Sequence, residues 1–220
     1  MGIKILFLYP NTYGMNMVPP AIAFLSALLK RQGHIVELFD STYYDMTYGV
    51  NSEGIKADQL NVVPFDLTSR GISMKTTNWE DDLTDQVNRF CPDLIAISST
   101  EDMWELGVRL LHRIEGYITN NNVPVIAGGV FPTFAPQLVI DQLLINIVCV
   151  GEGENAIVDL CERISLGRSY EDVTNLWVKL KDSSIKKNKI SRPVDINQNP
   201  FIDLTLFDEE RLYRPMAGQI

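Results

Sequence analysis

The sequence predicts a doubly wound α/β domain with a five-stranded parallel sheet, and two observations lead to it. Short apolar runs at residues 3–9, 35–39, 94–98, 123–127 and 146–150 alternate with longer stretches of helical periodicity. Five strand-helix units in succession specify parallel strands joined by helices. The runs are also largely apolar throughout, as expected of strands covered on both faces. With the strand order 2-1-3-4-5, this is a Rossmann-like (flavodoxin-like) architecture, in which ligands bind outside the carboxyl ends of the strands.

Each element has its own local signal. The first helix starts at Pro19-Pro20, carries Ile22, Leu25, Leu28 and Leu29 on one face, and stops at Gly33. After the second strand, residues 40–78 show no sustained periodicity, and loops of that length are as a rule functional or disordered. The loop begins with Ser41-Thr42-Tyr43-Tyr44-Asp45-Met46-Thr47-Tyr48, an aromatic stretch that reads either as packing of an insertion or as a lid over a ligand. Trp79, Leu83, Val87 and Phe90 form the next helical stripe, capped by Asn78 and opened by Glu80-Asp81-Asp82 as a solvated acidic first turn. Leu110, Leu111, Ile114 and Ile118 mark the helix after strand three. Pro124 fits only the first residue of strand four, and Gly128-Gly129 removes two side chains where that strand ends, just before a helix start. Ile157, Leu160, Cys161 and Ile164 mark the helix after strand five, which ends at Gly167.

The pattern changes beyond residue 168, so the domain is expected over residues 1–168 and a different organisation over 169–220. Residues 175–181 and 185–190 read as a β-hairpin around Asp182-Ser183-Ser184, with lysines on its exposed face. From Arg192 onward the chain is polar and carries Pro193, Pro200 and Pro215, which reads as a linker to a following domain.

Composition narrows the function classes. The 220 residues are 45% hydrophobic and 21% charged, as in an ordinary soluble globular protein. A net charge of -9 argues against a nucleic-acid partner, which requires a local excess of Lys and Arg. No apolar stretch is long enough to span a bilayer, and the first strand lacks the marks of a signal peptide. Cys91, Cys149 and Cys161 are widely spaced and read as small buried hydrophobes in a reducing cytoplasm, with no metal cluster. His34 precedes a strand and His112 lies in a helix, so both read as structural or solvent-facing. They leave no nucleophile, base and orienting group to assemble.

Gly151-Glu152-Gly153-Glu154-Asn155-Ala156 fits the G-x-G-x-x-G/A dinucleotide pattern. It follows the fifth strand rather than the first, however, and sets two carboxylates where a pyrophosphate would rest. The loops after strands one, three and four carry Asn11-Thr12-Tyr13-Gly14, Ser98-Ser99-Thr100 and Gly128-Gly129, and the strand order brings them to one crevice. Hydroxyls and bare backbone without Lys or Arg suit a long tail with one phosphate and many amides better than a polyphosphate.

These residues occur in an order that resembles a known family. Tyr9-Pro10 ends strand one, Pro19-Pro20 precedes the first helix, and Gly33-His34-Ile35-Val36-Glu37 turns into a strand ending at Asp40. Ser98-Ser99-Thr100, Gly128-Gly129-Val130-Phe131-Pro132 and Gly151-Glu152-Gly153-Glu154 follow. The sequence thereby resembles the N-terminal halves of cobalamin-dependent radical S-adenosylmethionine enzymes, and the stretch from Phe207 to Pro215 resembles the connector before that family's Cys-x3-Cys-x2-Cys loop.

The resemblance implies a domain that holds base-off cobalamin. Ser98, Ser99, Thr100, Gly128, Gly129 and Val130 would line the nucleotide tail, while Asn11, Thr12, Tyr13, Gly14, Gly151, Glu152, Gly153 and Glu154 would frame the corrin. It also implies a downstream radical domain with a 4Fe-4S cluster and S-adenosylmethionine, used for methyl transfer or related radical chemistry. Two features depart from related patterns. Residues 11–20 contain no histidine to coordinate cobalt, and the 220 residues contain no Cys-x3-Cys-x2-Cys, so this chain by itself is not expected to do radical chemistry. On this reading Gly129→Val weakens cobalamin binding far more than it lowers stability. The alternative is a noncatalytic flavodoxin-like interaction or regulatory domain that binds no cofactor.

Overall fold

The computed structural model describes residues 2–13, 17–46 and 67–213. One seven-stranded sheet has the order β2-β1-β3-β4-β5-β6-β7. Its strands are β1 (Lys4–Tyr9), β2 (Ile35–Asp40), β3 (Leu94–Ser98), β4 (Val125–Gly128), β5 (Ile147–Cys149), β6 (Leu176–Lys179) and β7 (Ile185–Lys187). The first five are parallel in the expected order, and β6 and β7 are antiparallel. The hairpin is therefore not separate from the domain, because Ile147, Val148 and Cys149 of β5 pair with Val178, Trp177 and Leu176. Pairing hides the edge that β5 would otherwise expose.

Alternation along β1 shows how the core divides. Leu6 and Leu8 face a cluster that includes Leu83, Val87, Leu110 and Leu111, from helices α2 (Trp79–Phe90) and α3 (Trp104–Arg113). Ile5 and Phe7 face the opposite cluster with Ile22, Leu29, Ile157 and Leu160, from α1 (Pro20–Arg31) and the last helix. Each such buried aliphatic or aromatic side chain contributes about 1.5–3 kcal/mol relative to exposure, which is why the strands are apolar on both faces. Asn78 accepts a hydrogen bond from Glu80 N at 2.7 Å, the expected cap of α2. The helix after β3 is broken at Ile114 into α3 and α4 (Glu115–Asn121). Two short helices, α5 (Val130–Phe134) and α6 (Pro136–Ile140), follow β4, and α7 (Glu154–Ser165) follows β5.

Three local expectations are corrected. Cys91 is exposed, because it ends α2 in the left-handed region at φ 52°, whereas Cys149 and Cys161 are buried. The first turn of α2 is not merely solvated, since Asp82 accepts from Tyr44 Oη at 2.7 Å and Glu80 and Asp81 pair with Arg109 and Arg113. The segment after Ile190 is no free linker over its described part. It straps back across α1 and the end of β2, where Asp203 pairs with Lys30 at 2.6 Å and Arg211 pairs with Asp40 at 2.7 Å. Pro215, Thr47 and Tyr48 lie outside the described residues, but Tyr43, Tyr44 and Met46 are buried, so that part of the aromatic stretch packs as an insertion.

His34 and His112 fall as expected. Burial holds the His34 imidazole below its ordinary pKa, and its Nδ1 accepts from Ile3 N at 3.1 Å. His112 is exposed beside Glu115.

Candidate functional site

A crevice of about 350 Å³ opens on the α1/α7 side of the sheet, at the carboxyl ends of β3, β4 and β5. Its floor is Phe7, Ala96, Ile126 and Cys149, and one wall is Ala21, Phe24 and Leu25 of α1. The opposite wall runs from Gly151 through Glu154 to Ile157, and Val130, Thr133 and Phe134 stand at the mouth. Val130 and Phe134 are 62% and 84% exposed, unusual values for apolar side chains beside a largely apolar hollow. Among the described residues no Lys or Arg lines the crevice, so none of them would neutralise a polyphosphate there.

Glycines give the crevice its room. A β-carbon at Gly128 would meet only Cys149 Cβ at 3.8 Å, and one at Gly153 would lie 3.8 Å from Cys149 Sγ and from Leu25. Side chains at either position would therefore grow into the hollow around Cys149. Gly129 answers a different demand. Its φ of 105° with ψ of -168° belongs to a region essentially reserved for glycine, and a β-carbon there would come within 2.9 Å of Ser99 O. The tightness is built by Ser99, whose N–H donates to Gly128 O at 3.2 Å and whose carbonyl accepts from Phe131 N at 3.4 Å. The expectation that Gly129→Val acts mainly on binding is overturned, since its first carbon strikes the backbone after β3.

Electrostatics at the opposite wall are set by carboxylates and a thiol. Burial, followed by the charges of Glu154 and Glu152, pushes the Cys149 thiol up to about 12, so it stays protonated and donates weakly to Glu152 O at 3.8 Å. Glu154 Oε2 is buried with no hydrogen-bond partner among the described residues. A buried acceptor left unpaired costs roughly 1–3 kcal/mol, more when charged, and a ligand amide or hydroxyl would satisfy it. Thr133 Oγ1 accepts from Gly151 N at 3.2 Å, which ties the mouth to the Gly151–Glu154 turn. The same turn is held from below by Asn175, which donates from Nδ2 to Glu152 O at 2.6 Å.

The structure brings Ser98, Gly128, Gly129, Val130, Gly151, Glu152, Gly153 and Glu154 to one crevice. Ser99 is buried behind it, and exposed Thr100 follows without lining it. Asn11, Thr12 and Tyr13 sit apart, at the end of β2. Asn11 Nδ2 donates to Thr42 Oγ1 at 2.8 Å, its N–H donates to Ser41 Oγ at 2.8 Å, and Tyr13 faces the Tyr43 ring. Thr12 Oγ1 is buried with no hydrogen-bond partner among the described residues. Gly14 lies outside the described residues.

Sequence reasoning missed Ala21, Phe24, Leu25, Thr133, Phe134 and Cys149. The spacing of Ala21 and Leu25, one turn apart at the start of a helix aimed at the strand ends, was the one available signal. Leu25 was indistinguishable from its core neighbours by periodicity. A second groove, about 730 Å³ and more open, runs between the free edge of β2, α2 and residues 206–208. It reaches the carboxyl end of β2 at Asp40 but not those of β3, β4 and β5, and its lining includes the paired charges Lys75 and Asp208.

Comparison with known proteins agrees with this geometry. The chain resembles an uncharacterized methyltransferase of Pyrococcus horikoshii at 24% identity, over 94% of this chain and 40% of that protein. Among solved structures it resembles the radical S-adenosylmethionine methyltransferase TsrM of Kitasatospora setae, with a TM-score of 0.63 and 17% identity over 87% of this chain and 31% of that one. It also resembles OxsB, a cobalamin-dependent S-adenosylmethionine radical enzyme solved with aqua-cobalamin and S-adenosylmethionine bound. That match has a TM-score of 0.66 and 18% identity over 92% of this chain and 24% of OxsB. At these identities the structural likeness is one of fold, and the chain spans less than half the length of each relative. Residues 9–161 match the profile of the B12 binding domain, and by that match the chain belongs to the B12 binding domain family.

Proposed function

We propose that this chain is the cobalamin-holding module of a radical S-adenosylmethionine enzyme. The nucleotide tail would lie in the crevice and the corrin over the strand ends, near the loop after β1 and the Gly151–Glu154 turn. The observation that carries this reading is the bare cradle formed by Gly128 and Gly153 around Cys149, where a β-carbon would occupy ligand space. The residues present fit the group. An apolar floor suits a planar aromatic base, the unpaired Glu154 oxygen suits amide or hydroxyl donors, and the lack of Lys and Arg suits a tail with one phosphate. When bound, cobalamin supplies a cobalt centre that carries methyl groups or assists radical chemistry. The chain's own residues hold the tail, exclude water from it and present the corrin to a second domain.

The partial coverage of the relatives supports a larger protein in which a radical domain carries a 4Fe-4S cluster and binds S-adenosylmethionine. Methyl transfer is the reading that the methyltransferase relatives favour. Unpaired thiols at Cys91, Cys149 and Cys161 support a cytoplasmic setting. Among the described residues no helix is long and apolar enough to cross a membrane.

With the tail in the crevice it would be off the cobalt, and because residues 11–20 hold no histidine that loop would offer no imidazole in its place. Electron paramagnetic resonance of the protein loaded with hydroxocobalamin and reduced to cobalt(II) tests this. The expected spectrum is base-off and free of axial nitrogen splitting. Splitting from an axial nitrogen would contradict the proposed seating.

A further inference from the structure

The segment that follows the hairpin lies outside the family match, yet it grips the helix that walls the crevice. Residues 198–211 make three separate contacts with α1 and its entry. Arg31 donates to Gln198 O at 3.2 Å. Asp203 receives Ser26 Oγ at 2.7 Å and Lys30 Nζ at 2.6 Å, and its own N–H donates to Ala23 O at 2.9 Å. Arg211, only 3% exposed, donates from Nε to Asp40 Oδ2 at 2.7 Å and from Nη2 to Met17 O at 3.0 Å, just before the Pro19 cap. Ala23, Ser26 and Lys30 thus face the strap, while Ala21, Phe24 and Leu25 of the same helix face the crevice.

We infer that residues 198–211 form a positioning strap for the ligand crevice, with Asp203 and Arg211 fixing the placement of α1 and hence the width of the hollow. Simple packing would require only apolar cover. Here a nearly buried guanidinium and a largely buried carboxylate are aimed at polar atoms of α1, its entry loop and the adjoining end of β2. A charged group of this kind holds one geometry, because any displacement leaves it buried and unpaired. A wall held in its bound position before the ligand arrives removes an ordering cost from binding. The ligand side of this inference rests on the cobalamin reading, whereas the placement of α1 does not.

The test uses the whole chain with Cys91→Ser as background, which leaves Cys149 in the crevice and Cys161 in the core as the remaining thiols. Arg211→Met and Asp203→Ala are compared with this background by the rate at which an organomercurial modifies each thiol, and by hydroxocobalamin titration well below the melting transition. Modification of Cys149 should accelerate at least tenfold with Cys161 unchanged. Cobalamin affinity should fall roughly tenfold, the change that accompanies about 1.4 kcal/mol of lost preorganisation. If Arg211→Met fails to fold, Arg211→Lys replaces it, because it keeps the charge but cannot bridge Asp40 and Met17 in the same fork. Lower melting temperatures with unchanged Cys149 reactivity and unchanged affinity would overturn the inference and leave the strap as packing alone. If the parent protein does not bind hydroxocobalamin, the cobalamin reading fails separately. The strap is then decided by Cys149 alone, with acceleration supporting it and no change overturning it.

Discussion

Gly128 and Gly129 are neighbours that answer to different constraints. Gly129 sits at φ 105°, and its β-carbon would lie 2.9 Å from a backbone oxygen, so Gly129→Ala should destabilise the fold by roughly 1–3 kcal/mol or more in a urea titration. Gly128 has open space beyond 3.8 Å of Cys149 Cβ. Gly128→Val should therefore change stability by less than about 1 kcal/mol yet weaken hydroxocobalamin binding at least tenfold, a factor equivalent to about 1.4 kcal/mol. Asp203 gives a prediction in pH. Burial alone would raise its carboxyl, but hydrogen bonds from Lys30, Thr205 and Ser26 and the Lys30 charge outweigh that and hold it at about 2, against 3.8 unperturbed. A depressed folded value stabilises the protein above the unfolded value, so this contribution is full above pH 3.8 and disappears as pH falls through about 2. With screening around the exposed Lys30 it amounts to on the order of 1 kcal/mol. Stability curves of wild type and Asp203→Asn should converge across that window, and parallel curves would show that the pair contributes nothing. The glycine pair was legible in the sequence as bare backbone at a strand end. Which glycine leaves room for a side chain was not, because that depends on Ser99, a residue of the neighbouring strand's loop.

At the scale of elements, the β6–β7 hairpin shapes the site from a distance. Asn175 precedes β6 at φ 68° and is 2% exposed. Its side chain donates to Glu152 O and accepts from Ser191 N, both at 2.6 Å, so it ties the Gly151–Glu154 turn to the start of the strap. Asn175→Ala removes two part-buried hydrogen bonds and holds alanine in a left-handed conformation it resists, and should cost roughly 2–4 kcal/mol by chemical denaturation. Loosening of this turn should also appear as faster amide exchange at Gly153 and Glu154, a result that a purely local defect at residue 175 would not give. The hairpin itself was readable from Asp182-Ser183-Ser184 between two strand-like stretches, the second with lysines on its exposed face. Its pairing with β5 was not, because β5 reads equally well as an edge or an interior strand when only its own residues are considered. Helix α1 shows a similar limit. Its apolar stripe located the core face through Ile22, Leu28 and Leu29, but Leu25 belongs to the crevice, and Ser26 meets a carboxylate 177 positions later in the chain.

At the scale of the molecule, patterns that repeat every few residues located the five parallel strands, and the order 2-1-3-4-5 followed from the flavodoxin-like architecture that such a succession of units suggests. Contacts of the strap join residues more than 160 positions apart and leave no local trace, which is why the segment after Arg192 read as a linker. The acidic character of the chain, -9 overall, matches a crevice whose charged lining residues, Glu152 and Glu154, are acidic. The central claim is that this crevice seats the nucleotide tail of cobalamin. Equilibrium binding of hydroxocobalamin compared with diaquocobinamide, which has the corrin but no nucleotide, tests it most directly. Cobalamin should bind at least tenfold more tightly than cobinamide, a margin of about 1.4 kcal/mol, and Gly128→Val should erase that margin while leaving cobinamide binding in place. Equal affinity for the two corrinoids in the unmodified protein would contradict it.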